Sequence, residues 1–90
     1  MPYKVEVGRR AQKAVARLPR RAQHHILNAL EGLAQDPRPP GYRSVKHSPR
    51  GTYRIRVGDY RIIYTVLDND RVIVVARVAK RDESTYRGLE

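Results

Sequence analysis

Arginines are the residues most able to do chemistry in this chain. Arg54, Arg56 and Arg61 crowd one short stretch, and Arg77, Lys80 and Arg81 follow at the next apolar run. A guanidinium is planar, permanently charged and forked, so it grips phosphate oxygens two at a time. It can stabilise charge that builds on a phosphoryl group, but it cannot accept a proton. A site of this kind therefore needs a separate proton acceptor. Histidine is the ordinary choice near neutral pH, and His47 precedes the arginine run. Lys46 and Arg50 flank it as further phosphate ligands, while Tyr42 and Tyr86 stand in polar segments where a ring can stack on a base. His24 and His25 fall in a helical stretch away from this set, and Asp59, Asp82 and Glu83 read as turn and surface residues.

Other chemistries have little to build on. There is no cysteine, which removes thiol nucleophiles, disulfides and zinc–cysteine sites together. The three histidines lack a ligand-like spacing, so no metal site is expected. No glycine-rich phosphate loop and no Ser-His-Asp pattern is present, and no cofactor is implied.

The charge agrees with the arginine reading. Nineteen Lys and Arg against nine Asp and Glu give a formal net charge of +10, with a pI near 10.7. Such a field steers polyanions at long range, and clustering decides whether it marks a site or only a soluble surface. Ninety residues, 40% hydrophobic, make one domain over 1–90 with a modest core. No apolar run is long enough to span a bilayer and no signal-like segment opens the chain, so a soluble, cytoplasmic protein is expected.

The elements that must hold the arginines can be traced by period. Tyr3 to Val7 alternates apolar and polar residues, as a strand does. Ala11, Ala14, Val15 and Leu18 then make one helical stripe, with Arg9, Arg10, Lys13 and Arg17 around it. Pro19 ends that helix and opens a second, whose stripe is Ala22, Ile26, Ala29, Leu30 and Leu33. The Pro- and Gly-rich run Asp36 to Gly41 begins a loop that continues to about Gly51. Strands are expected over Thr52 to Val57, Tyr60 to Leu67 and Arg71 to Ala79, followed by a polar, partly helical Lys80 to Glu90. The order β-α-α-β-β-β describes an α+β domain, a helical hairpin packed on one face of a mainly antiparallel sheet.

Gly58-Asp59 is a two-residue hairpin turn, which sets Val57 opposite Tyr60, Arg56 opposite Arg61, Ile55 opposite Ile62 and Arg54 opposite Ile63. Opposed residues share a face. Tyr53, Ile55, Val57, Tyr60, Ile62 and Tyr64 then face the helices, and Arg54, Arg56 and Arg61 face away. For the last strand, a turn of Asn69-Asp70 alone would bury Arg77 opposite Ile62, at high cost. A three-residue turn, Asp68 to Asp70, instead sends Val72, Val74, Ala76 and Val78 to the core and sets Arg77 opposite Arg61, with Arg81 on the same side. This register gathers five arginines on one surface, where their mutual repulsion favours a bridging anion.

The run Tyr53-Arg54-Ile55-Arg56-Val57-Gly58-Asp59-Tyr60-Arg61-Ile62-Ile63-Tyr64, the closing Lys80-Arg81 with Tyr86, and the Leu18-Pro19 break resemble the RelE/ParE toxin superfamily over nearly the whole chain. The resemblance implies a RelE-like, microbial-RNase-like fold and a toxin of a type II toxin–antitoxin system, including those that stabilise plasmids. In the RelE branch it implies a metal-independent endoribonuclease that cuts mRNA in the ribosomal A site by attack of the 2′-hydroxyl on the adjacent phosphate, inhibiting translation. Carried over by motif position, Arg61 stabilises the pentavalent transition state, and Arg81 stabilises charge on the phosphate or assists the leaving oxygen. Arg54 and Arg56 fall where RelE carries lysines that bind phosphate and help activate the hydroxyl, and Tyr86 stacks on a base. The proton acceptor stays open, with His47 one candidate.

The ParE branch shares the fold but inhibits DNA gyrase without nuclease activity, and a non-catalytic nucleic-acid module would also satisfy the charge. The implied partners are the ribosome (30S A site), mRNA and an acidic, amphipathic antitoxin that wraps apolar surface near the helices. Through the antitoxin, operator DNA is an indirect partner; a membrane is not.

Overall fold

The computed structural model describes residues 2–80. Strand β1 (Lys4–Val7) leads into helices α1 (Arg9–Ala16) and α2 (Arg20–Gln35). Strands β2 (Arg43–Ser44), β3 (Thr52–Val57), β4 (Tyr60–Leu67) and β5 (Val72–Lys80) follow. They form one sheet in the order β1-β5-β4-β3-β2. Only β1 against β5 is parallel among the neighbouring pairs, so the expected α+β, mainly antiparallel architecture holds. The short edge strand β2 was not expected and lies within the stretch read as loop.

Both helices bury their predicted stripes. Ala11, Ile26, Leu30 and Leu33 meet Ile62, Tyr64, Ile73, Val75 and Val78 in one cluster. Pro19 caps α2 rather than entering it. The Gln23 side chain donates to the carbonyls of Val15 and Ala16 at 2.9 and 3.3 Å, satisfying α1's last turn and closing the helical hairpin. Where β1 turns into α1, Gly8 donates its N–H to the Val75 carbonyl at 2.9 Å. A Cβ there would lie 3.1 Å from that same oxygen. The absence of a side chain lets the strand end and the helix start against β5.

The β3–β4 register is as expected, from Val57 opposite Tyr60 to Arg54 opposite Ile63, around a Gly58 with φ of 58°. The register of β5 is not. Leu67 pairs with Val72 and Tyr64 with Val75, the register that a turn of Asn69-Asp70 alone sets and that would bury Arg77 if it continued. Between Tyr64 and Ile63 the ladder shifts, so that Ile63 pairs with Arg77 and Ile62 with Val78. Ala76 is the extra residue of a β-bulge and is exposed. Ile73 and Val75 therefore face the helices in place of Val72 and Val74, and Val78 rejoins them beyond the bulge. Arg77 stands opposite Ile63 rather than Arg61. Burying an unpaired Arg77 guanidinium would be costly, and the chain avoids it by the bulge within the strand and not at the turn.

No helix among the described residues is long and apolar enough to cross a membrane.

Candidate nucleic-acid interface

The sheet face turned away from the helices has two halves. Near the β4–β5 turn its charges balance: Thr52 lies opposite Thr65 with their hydroxyls 3.0 Å apart, Val74 pairs with Thr65, and Lys4 and Glu6 of β1, beside Val72 and Val74, pair with each other at 3.7 Å. Toward the Gly58-Asp59 hairpin it is cationic. Arg54 and Arg77 flank Ile63 on either side, and Arg56 lies opposite Arg61. Between the halves, Val45 folds over Ile63; the two are buried to 6% and 3% exposure. An apolar patch beneath guanidiniums keeps water from part of their surroundings, which strengthens their attraction for an anion.

The bulge matters to this face as much as to the core. A regular strand would place Ile73, Val75 and Arg77 on one side. The extra Ala76 turns Arg77 over onto the side of Arg54, Arg56 and Arg61. Arg54, Arg61 and Arg77 are half-buried and Arg56 is exposed. Bulges commonly re-aim side chains beside functional sites.

The remaining expected residues are dispersed. Lys46, His47 and Arg50 are exposed in the β2–β3 loop, close in sequence to Val45. His47 has a φ of 60°, in the left-handed region, which is uncommon for a residue with a side chain. Tyr42 does not reach the arginine face. Its ring packs edge-on against Tyr53 at 5.1 Å, and Tyr53 belongs to the helix side. Lys80 pairs with Tyr60 and lines a groove of about 720 Å³ with Arg10 and Lys13 of α1, its C-cap Arg17, and Arg77. Arg81 and Tyr86 lie outside the described residues, as do Asp82 and Glu83. No cluster of His, Cys, Asp or Glu that could hold a metal occurs among the described residues.

Two features escaped sequence reasoning. The first is Arg43, placed opposite Arg54 by β2. The alternation Tyr42-Arg43-Ser44-Val45 was the available signal, obscured by the preceding prolines. The second is a polar clamp on the helix side. Arg38 in the Pro-rich loop pairs with Asp68 in the β4–β5 turn at 2.9 Å. It also donates to the Tyr53 hydroxyl at 3.3 Å, with its guanidinium carbon 5.3 Å from the Tyr53 ring centre. Tyr3 donates to Asp68 at 2.7 Å, and Tyr64, wholly buried, donates to the Pro37 carbonyl at 2.8 Å. Hydrogen bonds from Arg38 and Tyr3 hold the Asp68 carboxyl below its usual range, while burial pushes the Tyr64 phenol up. This clamp fastens the loop that delivers β2. Residues thirty apart in sequence carry it, beyond the reach of any local pattern.

Helices on one side of a mixed sheet and guanidiniums gathered on the other define a small, cation-faced α+β domain. The family model described as the ParE toxin of the type II toxin–antitoxin system parDE matches residues 5–85. The chain belongs to this family, within the RelE/ParE toxin superfamily, and is a toxin of a type II toxin–antitoxin system. It is 29% identical over 89 residues to the protein named "Putative toxin RelE1" of Methanocaldococcus jannaschii, covering 97% of this chain and 98% of that one. Its fold matches a chain in the toxin–antitoxin complex RelBE2 of Mycobacterium tuberculosis with a TM-score of 0.78 and 27% identity, over 90% of this chain and 100% of the other. It matches a chain of the archaeal RelE–RelB complex of Pyrococcus horikoshii OT3 equally well, at 0.78 and 27%, over 93% and 100%.

Proposed function

We propose that this toxin is a ribosome-dependent endoribonuclease that cleaves mRNA in the A site. The observation that carries the reading is the convergence of Arg54, Arg56, Arg61 and Arg77 on one sheet face, with a bulge spent on bringing the last of them there. In the proposed reaction the 2′-hydroxyl oxygen attacks the adjacent phosphorus, and the bond to the next nucleotide's 5′-oxygen breaks. The products are a 2′,3′-cyclic phosphate and a 5′-hydroxyl. Negative charge concentrates on the non-bridging oxygens during attack, and fixed guanidiniums stabilise it where it forms. Arg61 takes that role, and Arg54 and Arg56 hold the phosphate in line for attack. Arg81 and Tyr86 would complete the site at the leaving oxygen and at the base.

The hydroxyl proton needs an acceptor that no arginine supplies. His47 is the histidine nearest in sequence to the cationic face. Lys46, Arg50 and Arg77 would bind flanking phosphates, and Lys80 would hold RNA at the groove beside α1. No metal or cofactor takes part in this scheme.

Antitoxin-bound relatives, RelBE2 and the archaeal RelE–RelB complex, support an antitoxin as partner here, and the net charge of +10 favours an acidic one. The deciding experiment is mRNA cleavage on programmed ribosomes by the wild type, Arg61→Ala and Arg81→Ala, with naked mRNA as control. Cuts confined to the A-site codon and lost in both variants support the reading. A folded wild type that leaves mRNA intact overturns it.

A second reading has its own support, because the matching family model is that of ParE toxins. Gyrase inhibition by the wild type without mRNA cleavage would establish that alternative.

A further inference from the structure

We propose that Arg43 is a further RNA-backbone contact, one strand outward from the catalytic arginines, gripping a phosphate beside the one that is cleaved. The inference rests on the ribonuclease reading above and deepens it.

Three observations place Arg43 on the arginine face. It pairs directly with Arg54, and opposed residues share a face. Its neighbour Tyr42 packs on Tyr53 at the helix side, and side chains alternate along a strand. Val45, two residues on, packs with Ile63 on the arginine side. The strand holds its position through the Val45 N–H, which donates to the Thr52 carbonyl at 3.1 Å. Arg43 itself is exposed.

Arg43, Arg54, Ile63 and Arg77 then form one row across β2, β3, β4 and β5. Neighbouring strands lie about 4.8 Å apart, so the ends of the row are about 14 Å apart. That exceeds one phosphodiester. The row therefore spans more than the scissile group, and an RNA strand using all of it runs across the strands. Arg56 and Arg61 lie beside the middle of the row, where the chemistry is placed. Arg43 is at the outer end, on the far side of Arg54 from Ile63. A phosphate lying between Arg43 and Arg54 is within reach of two guanidiniums.

A contact remote from the reacting phosphorus acts on affinity and not on the chemical step. The test compares wild type, Arg43→Ala, Arg43→Lys and the exposed helix control Arg20→Ala in mRNA cleavage on programmed ribosomes. Arg43→Ala should raise KM roughly five-fold with kcat within two-fold, and Arg43→Lys should recover most of the loss. A second arm measures binding of a 2′-O-methyl single-stranded oligoribonucleotide against salt. There Arg43→Ala should flatten the log–log slope by about 0.7, the contribution of one phosphate on a single strand. Effects no larger than those of Arg20→Ala in both arms overturn the proposal, as does a fall in kcat at unchanged KM. If the wild type does not cleave, the ribonuclease reading fails by itself, and the salt slope still decides whether Arg43 touches the backbone. A wild type that neither cleaves nor binds the oligonucleotide overturns both.

Discussion

Arg77 of β5 lies directly across from Ile63 of β4, while Val75 lies across from Tyr64. Two steps along β5 thus correspond to one along β4, and Ala76 takes up the difference. Removing Ala76 should leave every other pairing in place, since Val75 and Arg77 would become adjacent and keep their present faces. The deletion should fold with stability within about 1 kcal/mol of wild type, because no core side chain is lost. Deleting Val74 instead would move Val75 off the core and put Ala76 against Tyr64, leaving a cavity that costs about 2 kcal/mol. Urea denaturation of the two deletions separates these cases, and equal destabilisation would sink the assignment. Cleavage should be retained in the Ala76 deletion, since Arg77 stays opposite Ile63 on the arginine face, and should fall with stability in the Val74 deletion.

The arginine face should trade stability for function. Arg56 and Arg61 oppose each other across β3 and β4, and like charges set directly opposite weaken a strand pairing. Replacing exposed Arg56 by Thr, a good strand former, should raise stability by about 0.5 kcal/mol. The same change should lower single-turnover cleavage by about 10²-fold, as expected when one preorganised charge donor is removed from a transition state. Thermal unfolding and cleavage rates on one preparation test the pair. A variant both less stable and fully active would contradict it.

Much of this arrangement was legible in the residues, and the limits were physical. The β3–β4 hairpin follows from Gly58-Asp59, because a two-residue turn leaves one register. The helix stripes follow from period alone. The β5 register was not legible, because a turn shift and a mid-strand bulge both rescue Arg77 from the core and nothing local chooses between them. The exposed Ala76 is a weak mark, since a small residue fits an edge, a core or a bulge. Arg43 was hidden by Pro39, Pro40 and Gly41, which correctly signalled a loop and masked the two-residue strand behind it. Tyr42 read as a free ring because its partner, Tyr53, lies across a strand pairing that was not foreseen.

The Arg38–Asp68–Tyr3 clamp should show itself at acid pH. The Asp68 carboxyl is held below its usual range first by the hydrogen bond from Arg38 and then by that from Tyr3. A depressed folded-state value favours the charged form in the native state. Its contribution is present above the ordinary aspartate value, about 3.9, and is lost as pH falls below it toward the folded-state value. Asp68→Asn should therefore be less stable than wild type at pH near 7, and the gap should narrow below about pH 4. Urea midpoints across that range provide the measurement. A gap that stays constant into acid would show that the clamp works through shape and not through the carboxylate charge.

His47 can be tested for strain and chemistry in one substitution. Its φ of 60° lies where a side chain costs about 1–2 kcal/mol and glycine costs none. Glycine also loses more backbone freedom on folding, which offsets about 0.5–1 kcal/mol of that relief. His47→Gly should therefore gain about 0.5 kcal/mol on balance. The same variant lacks an imidazole, so its cleavage rate reports on the missing proton acceptor. An exposed loop position makes retention of activity within about three-fold the expected result, far short of the 10²–10⁴-fold that general-base catalysis contributes. In that case the acceptor comes from elsewhere, including the ribosome. A loss in the general-base range, together with disappearance of the acid limb of the pH–rate profile, would instead assign the proton to His47. The pH–rate profile is the decisive part, because a rate loss alone could follow from a displaced Lys46 or Arg50.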